Sequence, residues 1–211
     1  MVLKQLKNHP ALRLLEWWLL FLAALLPLAW ISWQAWSFAL GADPAKEITD
    51  YLGQWALYLL WGSLAITPLR QALGWTRLQR FRRMIGLYAL FYATTHLLAF
   101  GTFIIGWRWD LLQTALTERT YIIVGALALL LLIPLGVTST KGWQRRLKKR
   151  WTQLHQLVYP ISLLVLLHVV WLIRDSYFDV FLYGSLLGWM LGYRVWRRLQ
   201  RRLRRSASLS S

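Results

Sequence analysis

The chain of 211 residues has no cysteine and only eight acidic residues, against 25 lysines and arginines. Without cysteine it can form no disulfide, offer no thiolate nucleophile and ligate no iron–sulfur cluster. Charge of either sign is missing from long intervals. A soluble domain of this size would carry charged residues along its whole length. Here they fall in clusters, separated by apolar runs of about 18 residues or more, enough to cross the hydrocarbon core of a bilayer. The glycine pattern GxGxxG is also absent, so the chain holds no dinucleotide-binding turn. The net charge of +17 raises the question of nucleic acid. Lys and Arg sit at the ends of apolar runs, which is a membrane-topology distribution, and nucleic acid is set aside as a partner.

What remains is 57% hydrophobic and contains 15 tryptophans. Six apolar segments can be marked, at 12–37, 51–69, 84–107, 119–137, 152–173 and 177–196. They predict an all-α, polytopic membrane bundle of six transmembrane helices, forming one domain over residues 1–211. The first segment is longer than a signal-peptide core and reads as an uncleaved helix. Pro68 and Pro134 are placed to end the second and fourth segments. Short connections make successive helices antiparallel. No internal repeat is evident. Residues 197–211 form a basic cytoplasmic tail, RRLQRRLRR followed by SASLSS, expected to fray.

Orientation follows from the basic residues. The N-terminus holds three, the loop from Arg70 to Arg83 five, the loop from Lys141 to Arg150 six, and the end from Arg194 to Arg205 seven. These 21 fall on one side, against four on the other, Lys46, Arg108, Arg119 and Arg174. The positive-inside rule then puts both termini in the cytoplasm. Asp43, Glu47, Asp50, Asp110, Glu118, Asp175 and Asp179 make the outer loops acidic.

Four histidines are present: His9, His96, His155 and His168. An ionisable side chain inside a membrane is costly and points to function. At 1.5 Å rise per residue, His96 lies roughly 20 Å in from Arg83, His168 roughly 27 Å in from Arg150, and His155 only about 7 Å in. The third and fifth segments both enter from the cytoplasm. His96 and His168 therefore reach similar depth in the outer half and can face each other across one flat ligand. Two neutral imidazoles in apolar surroundings suit the axial positions of a haem, whereas zinc requires three or four donors. His155 and His168 are 13 residues apart, about 140° around an ideal helix. They share no face unless Pro160 rewinds the segment. His155 is thus a ligand to a cofactor near the inner surface, an alternative ligand, or an interfacial histidine. His9, before Pro10, reads as surface.

Several stretches carry a resemblance: GADP at 41–44, ITPLR at 66–70, RRMIGL at 82–87 leading to TTHLL at 94–98, TERTYIIVG at 117–125, TST at 138–140, and KRWTQLHQLVY at 149–159 followed by His168. Together they resemble the MsrQ family, formerly YedZ, within the ferric-reductase-like transmembrane superfamily. This family comprises the haem-binding membrane subunits of bacterial periplasmic methionine-sulfoxide reductase systems. The resemblance covers nearly the whole chain. It implies haem b ligated by His96, His155 and His168, an association with FMN, and a bacterial inner-membrane location. It further implies a periplasmic molybdenum-dependent partner of the MsrP type, with electrons drawn from the quinone pool or a cytosolic flavin reductase. Only 15 residues follow Trp196, so the electron donor is expected to be a separate molecule.

Arg82, Arg83, Lys149 and Arg150 adjoin the histidine-bearing helices and are candidates for haem propionate or FMN phosphate contacts; the alternative is that they serve topology alone. Trp30, Trp33, Trp36, Trp107 and Trp109 suit an outer aromatic belt. Glu118, Arg119 and Tyr121 stand at the outer mouth of the fourth segment, as partner or quinone contacts or as caps. The expected role is an electron-transfer subunit with no catalytic residue of its own. The other readings are a transmembrane ferric or quinone reductase with a diffusible acceptor, and a non-redox membrane anchor.

Overall fold

In a bilayer every backbone N–H and C=O must be bonded within the protein, which leaves a sequence of this composition the helix as its solution. The computed structural model describes residues 10–74, 76–173 and 177–207, and among them there is no strand. Lys4, Lys7, His9, Arg174 and Asp175, placed above at the N-terminus and in an outer loop, lie outside the described residues.

Nine α-helices cover the described residues: α1 Pro10–Trp36, α2 Pro44–Leu73, α3 Arg82–Ala99, α4 Trp109–Glu118, α5 Thr120–Val137, α6 Lys141–Leu147, α7 Lys149–Leu154, α8 Val158–Leu172 and α9 Tyr177–Ala207. A 3-10 turn, Thr76–Arg80, leads into α3, a π turn, Phe100–Ile105, extends it, and a second 3-10 turn, His155–Leu157, joins α7 to α8. Four stretches are long and apolar enough to cross a membrane: Ala11–Trp36, Arg82–Ile105, Thr120–Val137 and Lys149–Leu172. The other two expected spans, 51–69 and 177–196, are helical within α2 and α9, but Trp, Tyr and Gly lower their hydropathy.

α2 packs along α3, and α5 along α8; α3 meets α5 and α2 meets α8, so the two pairs form one body. α1 lies against α2 and α3, and α9 against α2 and α8. Leu57, Leu60, Trp61 and Leu64 of α2 are buried against Ala128, Leu132, Ile161 and Leu187 at the centre. Large apolar side chains of α1 face outward, including Leu22, Leu26 and Trp30.

The start of α2 is written in its sequence. Asp43 caps it by accepting from the Lys46 N–H at 3.0 Å, Pro44 occupies the first turn, and Glu47 adds a negative charge beside the helix N-terminus. Its end is not where Pro68 predicts. The helix continues to Leu73 and stops at Gly74, whose φ of 68° is left-handed. Pro68 has no N–H, so the Leu64 carbonyl loses its helical donor. The Arg194 guanidinium of α9 supplies a replacement, donating to Leu64 O and, at 2.7 Å, to Met190 O. α9 stays helical to Ala207, through the basic part of the tail; residues 208–211 of the expected frayed end lie outside the described residues.

A second side chain enters a helical ladder beside Pro27. Tyr92 of α3 is fully buried; its hydroxyl accepts from Leu28 N–H at 3.1 Å and donates to Ala24 O at 2.8 Å. These are the two groups an unbroken helix would pair with each other. At the basic end, Glu16 of α1 binds Arg77 at 3.1 Å and also Arg80, fastening α1 to the turn before α3.

Candidate functional site

His96 lies in the last turn of α3 and His168 in the last turns of α8. Their rings have centroids 6.5 Å apart and planes crossed at 84°. Each ring is held by a neighbouring helix. His96 Nδ1 is 2.8 Å from the Thr49 carbonyl oxygen on α2, and His168 Nδ1 is 2.6 Å from the Tyr121 carbonyl oxygen on α5. A carbonyl only accepts, so both Nδ1 atoms carry a proton and donate it. In the neutral rings the Nε2 lone pairs are then left for a ligand. Both bonds span 47 residues of sequence. The α2–α3 and α5–α8 pairs therefore repeat one device, although no repeat is evident in the residue identities.

Two imidazoles bound through Nε2 to opposite sides of one metal ion, with bonds of about 2 Å and ring centres about 1.1 Å beyond, place their centres about 6.3 Å apart. The observed spacing is close to that figure. Among the described residues no three His, Asp or Glu side chains converge. A donor set of two imidazoles suits an iron whose other four positions are filled by a macrocycle; a structural zinc ion would be left short of protein donors. Thr49 and Tyr121 act here through the backbone, and only the matching 47-residue offsets could have revealed them in the sequence.

A cavity mouth adjoins this pair. A cavity of about 270 Å³ is lined by Arg119, Tyr121, Trp171 and Leu172. The Tyr121 ring lies 5.9 Å from that of His168. At the same end, the Arg108 guanidinium, 2.5 Å from Asp110, holds that carboxyl below the usual carboxylate range. Asp50, 2.7 Å from Lys46 Nζ, raises the lysine. Trp30, Trp33, Trp36, Trp107 and Trp109 are all exposed.

His155 stands apart, near the opposite end. Its ring stacks on Trp151 at 4.1 Å, and its Nε2 is 3.2 Å from Thr138 Oγ1. The Thr138 hydroxyl already donates to Pro134 O at 2.6 Å, so His155 Nε2 is the donor to it. Trp151 Nε1 donates to Thr138 O at 2.9 Å and completes the cluster. Arg82 is half-buried and acts electrostatically on His155 and Arg194, while Arg83, Lys149 and Arg150 are exposed. All four belong to the end opposite the histidine pair; Arg83 is roughly 20 Å along α3 from His96. Gly86 has open space where a Cβ would stand.

A crossed histidine pair between two packed helix pairs defines a class. The family model described as "Ferric reductase like transmembrane component" matches residues 52–166, so the class is that of the ferric-reductase-like membrane proteins. A relative from Xanthomonas axonopodis pv. citri (strain 306), named "Protein-methionine-sulfoxide reductase heme-binding subunit MsrQ", is 50% identical over 171 residues, covering 78% of each chain. A relative of the same name from Rhodospirillum rubrum is 44% identical over 169 residues, covering 80% of this chain and 81% of its own. The chain belongs to the MsrQ family. No solved structure matches it.

Proposed function

We propose that this chain binds a b-type haem between His96 and His168 and carries electrons across a bacterial inner membrane, as the membrane subunit of a methionine-sulfoxide reductase. The observation that carries the reading is the crossed ring pair, 6.5 Å apart, with both Nδ1 atoms engaged. The names of the Xanthomonas and Rhodospirillum relatives support it. An iron held by two imidazoles changes oxidation state without exchanging ligands, and so supplies one-electron transfer.

The chain's own residues set the conditions. The Thr49 and Tyr121 carbonyls hold the Nδ1 protons and fix each imidazole's tautomer, as second-shell partners do for metal-bound histidines generally. α2 and α9 complete a bundle of six crossings with both termini inside. α2 has 30 residues, about 45 Å of helix, and lies at the centre, where hydropathy matters less than packing. A periplasmic MsrP-type reductase docks at the acidic outer loops, a few residues from the histidine pair, and repair of oxidised periplasmic proteins is the physiological outcome. Electrons enter at the inner end from the quinone pool or a cytosolic flavin reductase, where Arg82, Arg83, Lys149 and Arg150 offer anion contacts for a propionate or an FMN phosphate. At that inner end His155, now bonded to Thr138, would be a ligand to a further cofactor.

An absorption spectrum of the purified protein tests the core of this. A Soret band and a dithionite-sensitive α-band are expected, and His96→Ala and His168→Ala should each abolish or strongly deplete them. Full haem content in both variants would remove the pairing. His155→Ala should lose only part of the haem, or FMN alone.

A further inference from the structure

The two histidines are crowded from behind by glycines. A Cβ built on Gly53 would stand 2.8 Å from His96 Nδ1 and 3.0 Å from its Cε1; one built on Gly125 would stand 2.7 Å from His168 Nδ1 and 2.8 Å from its Cε1. Side-chain carbons do not approach ring atoms so closely, so only glycine leaves room for either ring as it lies. Both glycines precede their histidine by 43 residues. Each also follows the accepting carbonyl by four, Thr49 before Gly53 and Tyr121 before Gly125, so the same helical turn provides both the acceptor and the gap. Helix propensity gives no reason for a glycine at either place, since in a helix interior it is less favourable than alanine. Not every glycine in these helices is crowded: at Gly86 a Cβ would meet nothing within 4 Å.

We infer that Gly53 and Gly125 are positioning residues that set the rotation of His96 and His168, and thereby the 84° crossing of the two ring planes. The carbonyl pins Nδ1 while the missing Cβ lets the ring lie flat against the helix, so position and rotation are fixed together. A ring pushed off Gly53 must rotate, lose its bond to Thr49, or move the two helices apart. The spectroscopic half of this inference rests on the haem reading; the steric half does not.

For the haem-loaded full chain, the ferric electron paramagnetic resonance spectrum reads the angle between axial imidazole planes. Perpendicular planes give a strongly anisotropic low-spin signal with a large maximal g value, and planes closer to parallel reduce it. Gly53→Ala and Gly125→Ala should each lower that g value and shift the midpoint potential, or lose haem from a protein that still folds. Gly86→Ala should leave spectrum and potential unchanged. Haem retained in both variants with the wild-type signal and potential would overturn the inference.

A second measurement needs no haem. Gly53→Ala should lower the thermal midpoint in the wild-type background. In the His96→Ala background, where the ring is gone, it should be neutral or raise the midpoint. An equal loss in both backgrounds would overturn the steric half. Wild-type protein without a Soret band would defeat the haem reading alone and leave this double-mutant comparison standing.

Discussion

Arg194 shows how one side chain lets a helix pass through a proline. It donates to the carbonyl of Leu64, which Pro68 deprives of its helical partner, and its guanidinium lies 5.6 Å from the centre of the Tyr159 ring. A hydrogen bond from a charged donor contributes about 1.5–3 kcal/mol, and Arg194→Ala should destabilise the protein in detergent by that order. Pro68→Ala restores an N–H to the same carbonyl and should recover part of the loss when added to Arg194→Ala. If Pro68→Ala has the same effect whether Arg194 is present or not, the two do not share that acceptor. The local rule that reads Pro68 as a stop fails because the compensating donor is 130 residues away. The histidine pair was more accessible from sequence, since its members stand out as polar residues in apolar helices and rise per residue gives their depth. The carbonyls behind them were not accessible, because a backbone acceptor leaves no mark in residue type.

At the scale of elements, helices packed in lipid obey a different balance from those packed in water. Lipid chains are as apolar as leucine, so moving a leucine from lipid to the protein interior gains packing rather than hydrophobic transfer. Helices at the centre should then be sensitive to lost contacts and those facing lipid indifferent. Leu60 of α2 is 3% exposed and Leu22 of α1 is 55% exposed. Leu60→Ala should cost roughly 1–3 kcal/mol, the packing share of a core truncation, and Leu22→Ala less than about 0.5 kcal/mol. Reversible unfolding in mixed micelles measures both, and equal costs would contradict the central placement of α2. The elements also differ in how legible they were in the sequence. The α1, α3, α5 and α8 runs are long and apolar enough to cross a membrane by composition alone, whereas α2 and α9 show only as shorter apolar segments within longer, more polar helices. The short α4 escaped because it lies in the polar connection between the third and fourth segments, and the π turn because it falls within an apolar run.

For the whole molecule, the asymmetry of charge and the location of the histidine pair point the same way. The end carrying Thr49, Tyr121 and the paired rings adjoins the acidic loops, while among the described residues Glu16, bound to Arg77 and Arg80, is the one acidic side chain of the basic end. In the proposed function, an electron delivered from the pair would have a short path to a partner on the acidic side and a long one to the basic side. The direction depends on α2 crossing the membrane, which hydropathy alone does not decide. The absence of native cysteine makes the test clean. Ser37 and Gln79 are exposed on either side of α2, and Gln113 and Gln144 on either side of α5. Single substitutions Ser37→Cys and Gln113→Cys should react in intact spheroplasts with a membrane-impermeant maleimide. Gln79→Cys and Gln144→Cys should react only after permeabilisation. Labelling of Gln79→Cys from outside together with Ser37→Cys would mean that α2 returns to the side on which it began. The six-crossing bundle would then be wrong, and with it the outward route from an inner donor through His96 and His168.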